Sequence, residues 1–135
     1  MRALYKIIHT CSGNHWTGIE KRILTESVWM ADRGHQVIIL APEESPLFSR
    51  AKGFGFRLYP VPFKRLTTFA DHRRLMDIFQ NERPHILNTH LHADSRIALP
   101  AAAKSRVSCR ILSKHTSEGT RRSWQNRRLY KKLNH

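Results

Sequence analysis

Residues 3–40, ALYKIIHTCSGNHWTGIEKRILTESVWMADRGHQVIIL, contain the pattern that determines the fold class. A short apolar run of strand length comes first, and a polar loop with Gly13 and Gly18 follows it. Apolar residues then recur at helical spacing, and Gly34 stands where glycine commonly ends a helix. Residues 37–40 form a second apolar strand. Because a helix that crosses between two neighbouring strands makes them parallel, this stretch predicts the start of a parallel sheet.

The rest of the sequence repeats this alternation of strands and helices. Ser45 and Pro46 are suited to be the N-cap and the first residue of a short helix. Asp94 and Ser95 are expected to cap a later helix, which Pro100 kinks or divides. The other predicted elements are strands at 56–61, 86–89 and 107–113, helices at 46–53 and 68–83, and a last basic helix with Leu129, Tyr130 and Leu133. This order predicts an α/β fold: a doubly wound, Rossmann-like parallel sheet in three αβα layers, with right-handed crossovers.

Composition and cysteine usage exclude several classes of protein. The chain has 135 residues, of which 40% are hydrophobic, so it is long enough for one domain with a real core. It contains no apolar run near the roughly 20 residues that span a bilayer and no signal peptide, which predicts a cytoplasmic location. Cys11 and Cys109 lie far apart in sequence, so neither a disulfide framework nor a zinc ribbon is expected. Cys11 is interpreted as a small loop residue.

Positive charge is concentrated towards the C-terminus. The formal net charge is +14, and the residues from Lys104 onward contain ten Lys or Arg but one acidic residue. This asymmetry is compatible with anionic membrane, nucleotide phosphate or nucleic acid as a partner. The segment 121–132, RRSWQNRRLYKK, fits an interfacial helix on anionic lipid, an RNA contact or a solvated helix face.

The glycine loop is the first candidate binding element. Gly13 and Gly18 have the spacing of a P-loop, but Ile19 and Glu20 follow where that motif needs Lys and Ser or Thr, so the pattern does not indicate a Walker NTPase. Gly18 directly precedes the predicted helix, whose N-terminal N–H groups and dipole favour a phosphate. The alternative is that glycine is needed there only for a tight turn.

Histidines at the ends of two strands are the other candidates. His90 and His92 would point to the same side of an extended segment, with Asp94 nearby, but no third ligand has a suitable spacing, so no metal site is predicted. His90 is expected instead at the carboxyl edge of the sheet, in a substrate cleft. His115 follows the fifth strand, where it can donate to a sugar hydroxyl, act in acid–base chemistry or bond to backbone.

These segments together resemble the N-terminal domain of GT-B fold glycosyltransferases of family 4, the group 1 retaining enzymes. The resemblance is carried by the run 9–42, HTCSGNHWTGIEKRILTESVWMADRGHQVIILAP, by ERPHILNTH at 82–90 and by SKHTS at 113–117. It implies that Gly18 lies against the donor diphosphate, that His115 is a catalytic residue near the donor sugar, and that His90 lies on the acceptor side. The sequence departs from the family in having Thr17 before Gly18, where a glycine pair is common, and in having Pro100 within an alanine-rich helix.

The resemblance also implies what the chain does and what it lacks. Residues 1–135 are expected to form an acceptor-side domain that is incomplete at its C-terminus, without the donor-binding domain, and inactive alone. The expected partners are a nucleotide-sugar donor, a hydroxyl acceptor and, through the basic C-terminal region, the anionic inner face of a membrane; no cofactor is expected. The alternatives are a basic nucleic-acid-binding module, which the buried positions of most aromatic residues disfavour, and a non-catalytic remnant of a truncated gene.

Overall fold

Strand β1 (Lys6–Thr10) lies at the centre of a five-stranded sheet in the computed structural model, which describes residues 3–114. The other strands are β2 (Gln36–Ala41), β3 (Arg57–Pro60), β4 (Ile86–Thr89) and β5 (Cys109–Leu112). Their order across the sheet is β3-β2-β1-β4-β5, and every neighbouring pair is parallel. The sheet grows outward from β1 in both directions, which confirms the predicted doubly wound α/β fold.

Two pairs of helices cover the two faces of this sheet. They are α1 (Gly18–Asp32), α2 (Pro46–Gly53), α3 (Thr68–Glu82) and α4 (His92–Lys104). Alternate residues of β2 face opposite sides: Ile38 packs in a core with α3 and α4, whereas Ile39 packs in a core with α1 and α2. The expected three αβα layers are therefore present. Within residues 3–114, no helix is long and apolar enough to cross a membrane.

Local sequence signals place the helix ends where they were predicted. Ser45 is the N-cap of α2, with its hydroxyl accepting the N–H of Phe48 at 3.2 Å, and Pro46 is the first helical residue. Gly34 follows α1 with a φ of +91°, a conformation that favours glycine. Strand β4 has the predicted bounds.

Helix α4 differs from the prediction in its N-cap and in its continuity at Pro100. Its N-cap is Leu91, and Asp94 is the third helical residue, whose carboxylate accepts the N–H of Leu91. The helix continues through Pro100, so it is not divided there, while the kink at this residue stays a prediction. Buried neighbours such as Ala98 and Ala101 hold this helix against the core, which offsets the loss of one backbone hydrogen bond. The predicted basic helix after residue 120 lies outside the described residues.

A buried carboxylate joins three elements at the amino edge of the sheet. Glu82, which ends α3, is 5% exposed and lies 3.4 Å from the Lys6 ammonium and 3.3 Å from the Arg57 guanidinium. The Tyr59 hydroxyl also donates to it. Burial by itself raises the pKa of Glu82, but the hydrogen bonds from Tyr59 and Lys6 and the charge of Arg57 outweigh burial and lower it.

Candidate functional site at the switch point of the sheet

The loops that follow β1 and β4 leave the sheet side by side. Thr10, the last residue of β1, pairs in register with Thr89, the last residue of β4. Between these two strands the winding of the sheet reverses, because β2 and β3 lie on one side and β4 and β5 on the other. In open parallel sheets, the crevice at the carboxyl ends of two such strands is the usual place for a ligand.

One carboxylate holds these two loops together. Asp94 is completely buried and accepts five hydrogen bonds. From the first loop it accepts the Thr10 hydroxyl at 2.7 Å and both the N–H and the hydroxyl of Ser12, at 3.1 and 2.9 Å. From the second loop it accepts the N–H groups of His90 and Leu91, at 3.1 and 3.2 Å. Burial outweighs these bonds, so the pKa of Asp94 is raised.

Two histidines meet beside this carboxylate. His9 Nδ1 and His90 Nε2 lie 2.9 Å apart, so one nitrogen donates and the other accepts. Their ring centroids are 5.2 Å apart, and both residues are 4% exposed. Burial lowers the pKa of His9 to about 4, against a smaller opposing effect of the charge of Glu26. His9 is therefore neutral at neutral pH.

The start of α1 forms the outer wall of the site. Thr17 is the N-cap, and Glu20 returns to accept the Thr17 N–H at 2.9 Å, which makes a capping box. Glu20 is 3% exposed, and a Cβ on Gly13 would collide with its carboxylate and come within 3.2 Å of Leu91. Gly13 is therefore required by the close approach of the two loops.

Gly18 is required by neither packing nor backbone conformation. It is exposed, is the first residue of α1, and has no positive φ. A Cβ built on it meets nothing within 4 Å. The tight-turn explanation considered for this glycine therefore has no support in the backbone, and Gly18 leaves open space directly at the N-terminus of a helix.

Cys11 lies in the same loop and is itself chemically unreactive. It is completely buried and packs in the core shared by α1 and α2. Burial and the nearby charges of Asp94 and Glu20 raise the pKa of its thiol to about 12. The thiolate is therefore negligible at neutral pH, in agreement with the interpretation of Cys11 as a small loop residue.

The structure describes two of the three predicted site residues. Gly18 begins α1, which follows β1, and His90 directly follows β4; these two strands are neighbours in the sheet. His115 lies outside the described residues. His92 begins α4, so the segment from His90 to Asp94 is not extended as the metal argument assumed. No group of three potential metal ligands occurs within residues 3–114.

Sequence reasoning did not identify His9, Thr10 and Ser12 as parts of this site. Polar residues at the end of an otherwise apolar strand, here His9 and Thr10, were a usable signal. The spacing of Leu91 and Asp94 was another, because an acidic side chain at the third helical position commonly accepts the N-cap N–H. The contacts of these three residues with His90 and Asp94, about 80 positions away in sequence, could not be predicted from the local sequence pattern.

Comparisons with known proteins give a consistent result. Residues 16–135 match the sequence model of the family described as Glycosyltransferase Family 4. A segment of 51 residues is 29% identical to human UDP-glucuronosyltransferase 1A6, covering 38% of this chain and 9% of that protein.

Two solved structures share the fold at low sequence identity. A glycosyltransferase from Rickettsia africae ESF-5 superposes on 93% of this chain with a TM-score of 0.75 and 13% identity. MurG from Acinetobacter baumannii superposes on 94% of it, also with a TM-score of 0.75, at 11% identity. The chain spans 34% and 39% of the lengths of these two proteins.

Proposed function

Because the chain belongs to glycosyltransferase family 4, we propose that it is the acceptor-side part of an enzyme that transfers a sugar from a nucleotide-sugar donor to a hydroxyl acceptor. The observation that carries this proposal is the open space at Gly18, at the N-terminus of α1 and beside the switch point of the sheet. A diphosphate approaching this point meets backbone N–H groups and the positive end of the helix dipole.

The absence of a side chain at Gly18 favours a ligand over a purely structural role. Glycine costs stability within a helix relative to alanine, by about 0.5–1 kcal/mol. Neither a positive φ nor a close protein neighbour explains its presence at this position. Close approach of a ligand to the backbone is one physical reason for glycine at such a position, and a donor diphosphate would be a ligand of this kind.

The two histidines take the roles implied by the family. His90 lies at the carboxyl edge, supported by His9 and Asp94, and forms the acceptor side of the cleft. His115, which follows β5 by three residues, orients or polarises the donor sugar. Catalysis then consists of electrostatic stabilisation of the departing diphosphate, and the proposal includes no metal or other cofactor.

The rest of the catalytic site is assigned to a second domain. Since the chain spans little more than a third of the similar solved proteins, we place the charged groups that clamp the donor phosphates outside it. The 135-residue chain alone is then expected to bind a nucleoside diphosphate weakly and to transfer no sugar. We further propose that the basic segment 121–132 contacts the anionic inner face of a membrane, with the enzyme in the cytoplasm.

An amide NMR titration of the chain tests this proposal. UDP, GDP and ADP are added in turn, and the expected result is a shift of amide signals within residues 13–20, with sulfate at equal ionic strength as the control. If these amides do not respond to any diphosphate, the donor-phosphate role of Gly18 is wrong. A steeply salt-dependent affinity for an RNA oligonucleotide in the same sample would instead support the nucleic-acid-binding alternative.

A further inference from the structure

A cleft lies at the amino edge of the sheet, at the opposite edge from the loops around Gly18. It has a volume of about 430 Å³ and lies between the ends of α3 and α4 and the starts of β4 and β5. A space of this size suits a small molecule. The polar residues of its wall include Arg83, His85, Ser105, Arg106 and Ser108.

The two arginines of this cleft occupy backbone positions that usually hold glycine. Arg83 is the C-cap of α3, with a φ of +48°, and Arg106, with a φ of +58°, follows the C-cap of α4. Helices commonly end on glycine in this left-handed conformation, because a Cβ is strained there. The helix dipole favours a cation at such an end, but Lys104 already supplies one in the last turn of α4. The two strained positions therefore point to a use for the arginine side chains.

The charge of these arginines is not balanced within the cleft. None of its described lining residues is acidic. Glu82 precedes Arg83 in sequence, but it is 5% exposed and is already bound by Lys6, Arg57 and Tyr59. An anion in the cleft would therefore meet two guanidinium groups without a competing carboxylate from its wall.

Neutral hydrogen-bond donors lie beside the two arginines. His85 Nδ1 accepts the N–H of Lys6 at 2.9 Å, so the neutral ring carries its hydrogen on Nε2 and can donate it. The hydroxyl oxygen of Ser105 is buried and has no hydrogen-bond partner among residues 3–114. Buried polar groups are normally paired, so this hydroxyl is a donor that the oxygen of a bound anion would satisfy.

We propose that this cleft binds a small phosphate monoester, whose phosphate group is held by Arg83 and Arg106 from the ends of α3 and α4. A guanidinium group can bind two oxygens of one phosphate at once, and a dianion balances two arginines. His85 and Ser105 donate to the remaining oxygens, and the rest of the cleft holds the organic part of the ester. The proposal does not depend on the role of Gly18.

An amide NMR titration of the full-length chain with phenyl phosphate tests the proposal, at about pH 7.5, where a phosphate monoester is a dianion. Saturable shifts are expected for the amide signals of residues 83–85 and 105–108, and none with sodium chloride at equal ionic strength. Equal shifts with phenol would show that the cleft binds the ring and not the phosphate. Shifts confined to residues 13–20 would overturn this proposal and leave the proposed function intact.

Paired variants separate the cleft from general basic charge. Arg83→Gln with Arg106→Gln is expected to weaken the binding of phenyl phosphate about tenfold or more. The control pair Arg65→Gln with Arg73→Gln removes two exposed cations near the start of α3 and is expected to change the affinity about twofold or less. Equal losses in the two pairs would assign the binding to charge outside the cleft. Circular dichroism verifies that each variant folds.

The variant Arg106→Gly separates ligand binding from a role in ending α4. Glycine adopts a left-handed φ without strain, so the variant is expected to unfold at the same temperature as the wild type or higher. Its affinity for phenyl phosphate is expected to fall, because one guanidinium group is lost. Wild-type affinity in this variant would show that the Arg106 side chain does not hold the phosphate, and would overturn the proposal.

Discussion

Asp94 and Thr10 are joined by a 2.7 Å hydrogen bond between two elements that lie 84 residues apart in sequence. The same carboxylate accepts bonds from Ser12, His90 and Leu91, so the loops after β1 and β4 share one anchor. Both loops border the proposed substrate cleft. A single side chain on α4 therefore links both loops.

Replacing Asp94 by alanine is expected to lower the free energy of unfolding by about 3 kcal/mol or more, because several buried donors lose their acceptor. Urea unfolding followed by circular dichroism measures this change. The matched control is Asp77→Ala, an exposed residue on α3, for which a change within about 0.5 kcal/mol is expected. Equal effects of the two substitutions would show that Asp94 does not anchor the loops.

The buried His9 predicts a loss of stability in mild acid. The pKa of His9 is about 4 in the folded chain, whereas an ordinary histidine has a pKa of 6.5. The unfolded chain therefore binds the proton first as the pH falls. The contribution of neutral His9 to the free energy of unfolding is complete above pH 6.5 and decreases as the pH falls from there towards 4.

The variant His9→Gln isolates this contribution. The difference in unfolding free energy between the wild type and His9→Gln is expected to decrease by about 2 kcal/mol between pH 7 and pH 5. Groups that do not contact His9 are common to both proteins, so their contributions largely cancel in the difference. A difference that does not change with pH would mean that His9 is protonated at no cost in the folded chain.

The two glycines of the first loop are expected to respond in opposite ways to alanine. Gly13→Ala places a Cβ against Glu20 and Leu91, and we expect a loss of about 1–3 kcal/mol in unfolding free energy. Gly18→Ala meets open space in a helix and is expected to be neutral or stabilising by up to about 1 kcal/mol. Thermal unfolding of the two variants compares these effects.

Ligand binding by Gly18→Ala separates its function from its contribution to stability. The folded variant is expected to lose the diphosphate-dependent amide shifts within residues 13–20, because a methyl group occupies the space left for the ligand. Unchanged shifts in the variant would place the diphosphate elsewhere on the chain.

The two cysteines are expected to differ sharply towards iodoacetamide. Cys109 is exposed, whereas Cys11 is buried with a thiol pKa of about 12. Mass spectrometry of the folded chain should detect one adduct, on Cys109, and the same treatment in concentrated urea should give two. Rapid modification of both residues in the folded chain would show that the first loop opens readily to solvent.

Signals carried by neighbouring residues were sufficient to predict the fold. Ser45 followed by Pro46, and Gly34 after an apolar helix pattern, gave helix boundaries that the structure confirms, because caps depend on nearby backbone groups. Pro100 does not divide α4, because tertiary packing of its buried residues holds the helix together.

The site was less predictable because its contacts cross the sheet. Asp94 was interpreted as a cap for its own helix and as a neighbour of His90 and His92, although three of its five bonds reach Thr10 and Ser12. His90 was placed at the correct edge by the end of its strand, but its partner His9 is 81 residues away. Such pairs become visible only when the order of the strands is known.

The two buried carboxylates, Glu82 and Asp94, are expected to respond differently to ionic strength. Glu82, at the amino edge, is held partly by Lys6 and by the half-exposed Arg57, and dissolved salt weakens such ion pairs. Asp94, at the carboxyl edge, is held by hydroxyl and N–H groups that bear no net charge. Concentrated salt is therefore expected to weaken the contacts of Glu82 before those of Asp94, so that the loops that border the proposed cleft keep their arrangement longer.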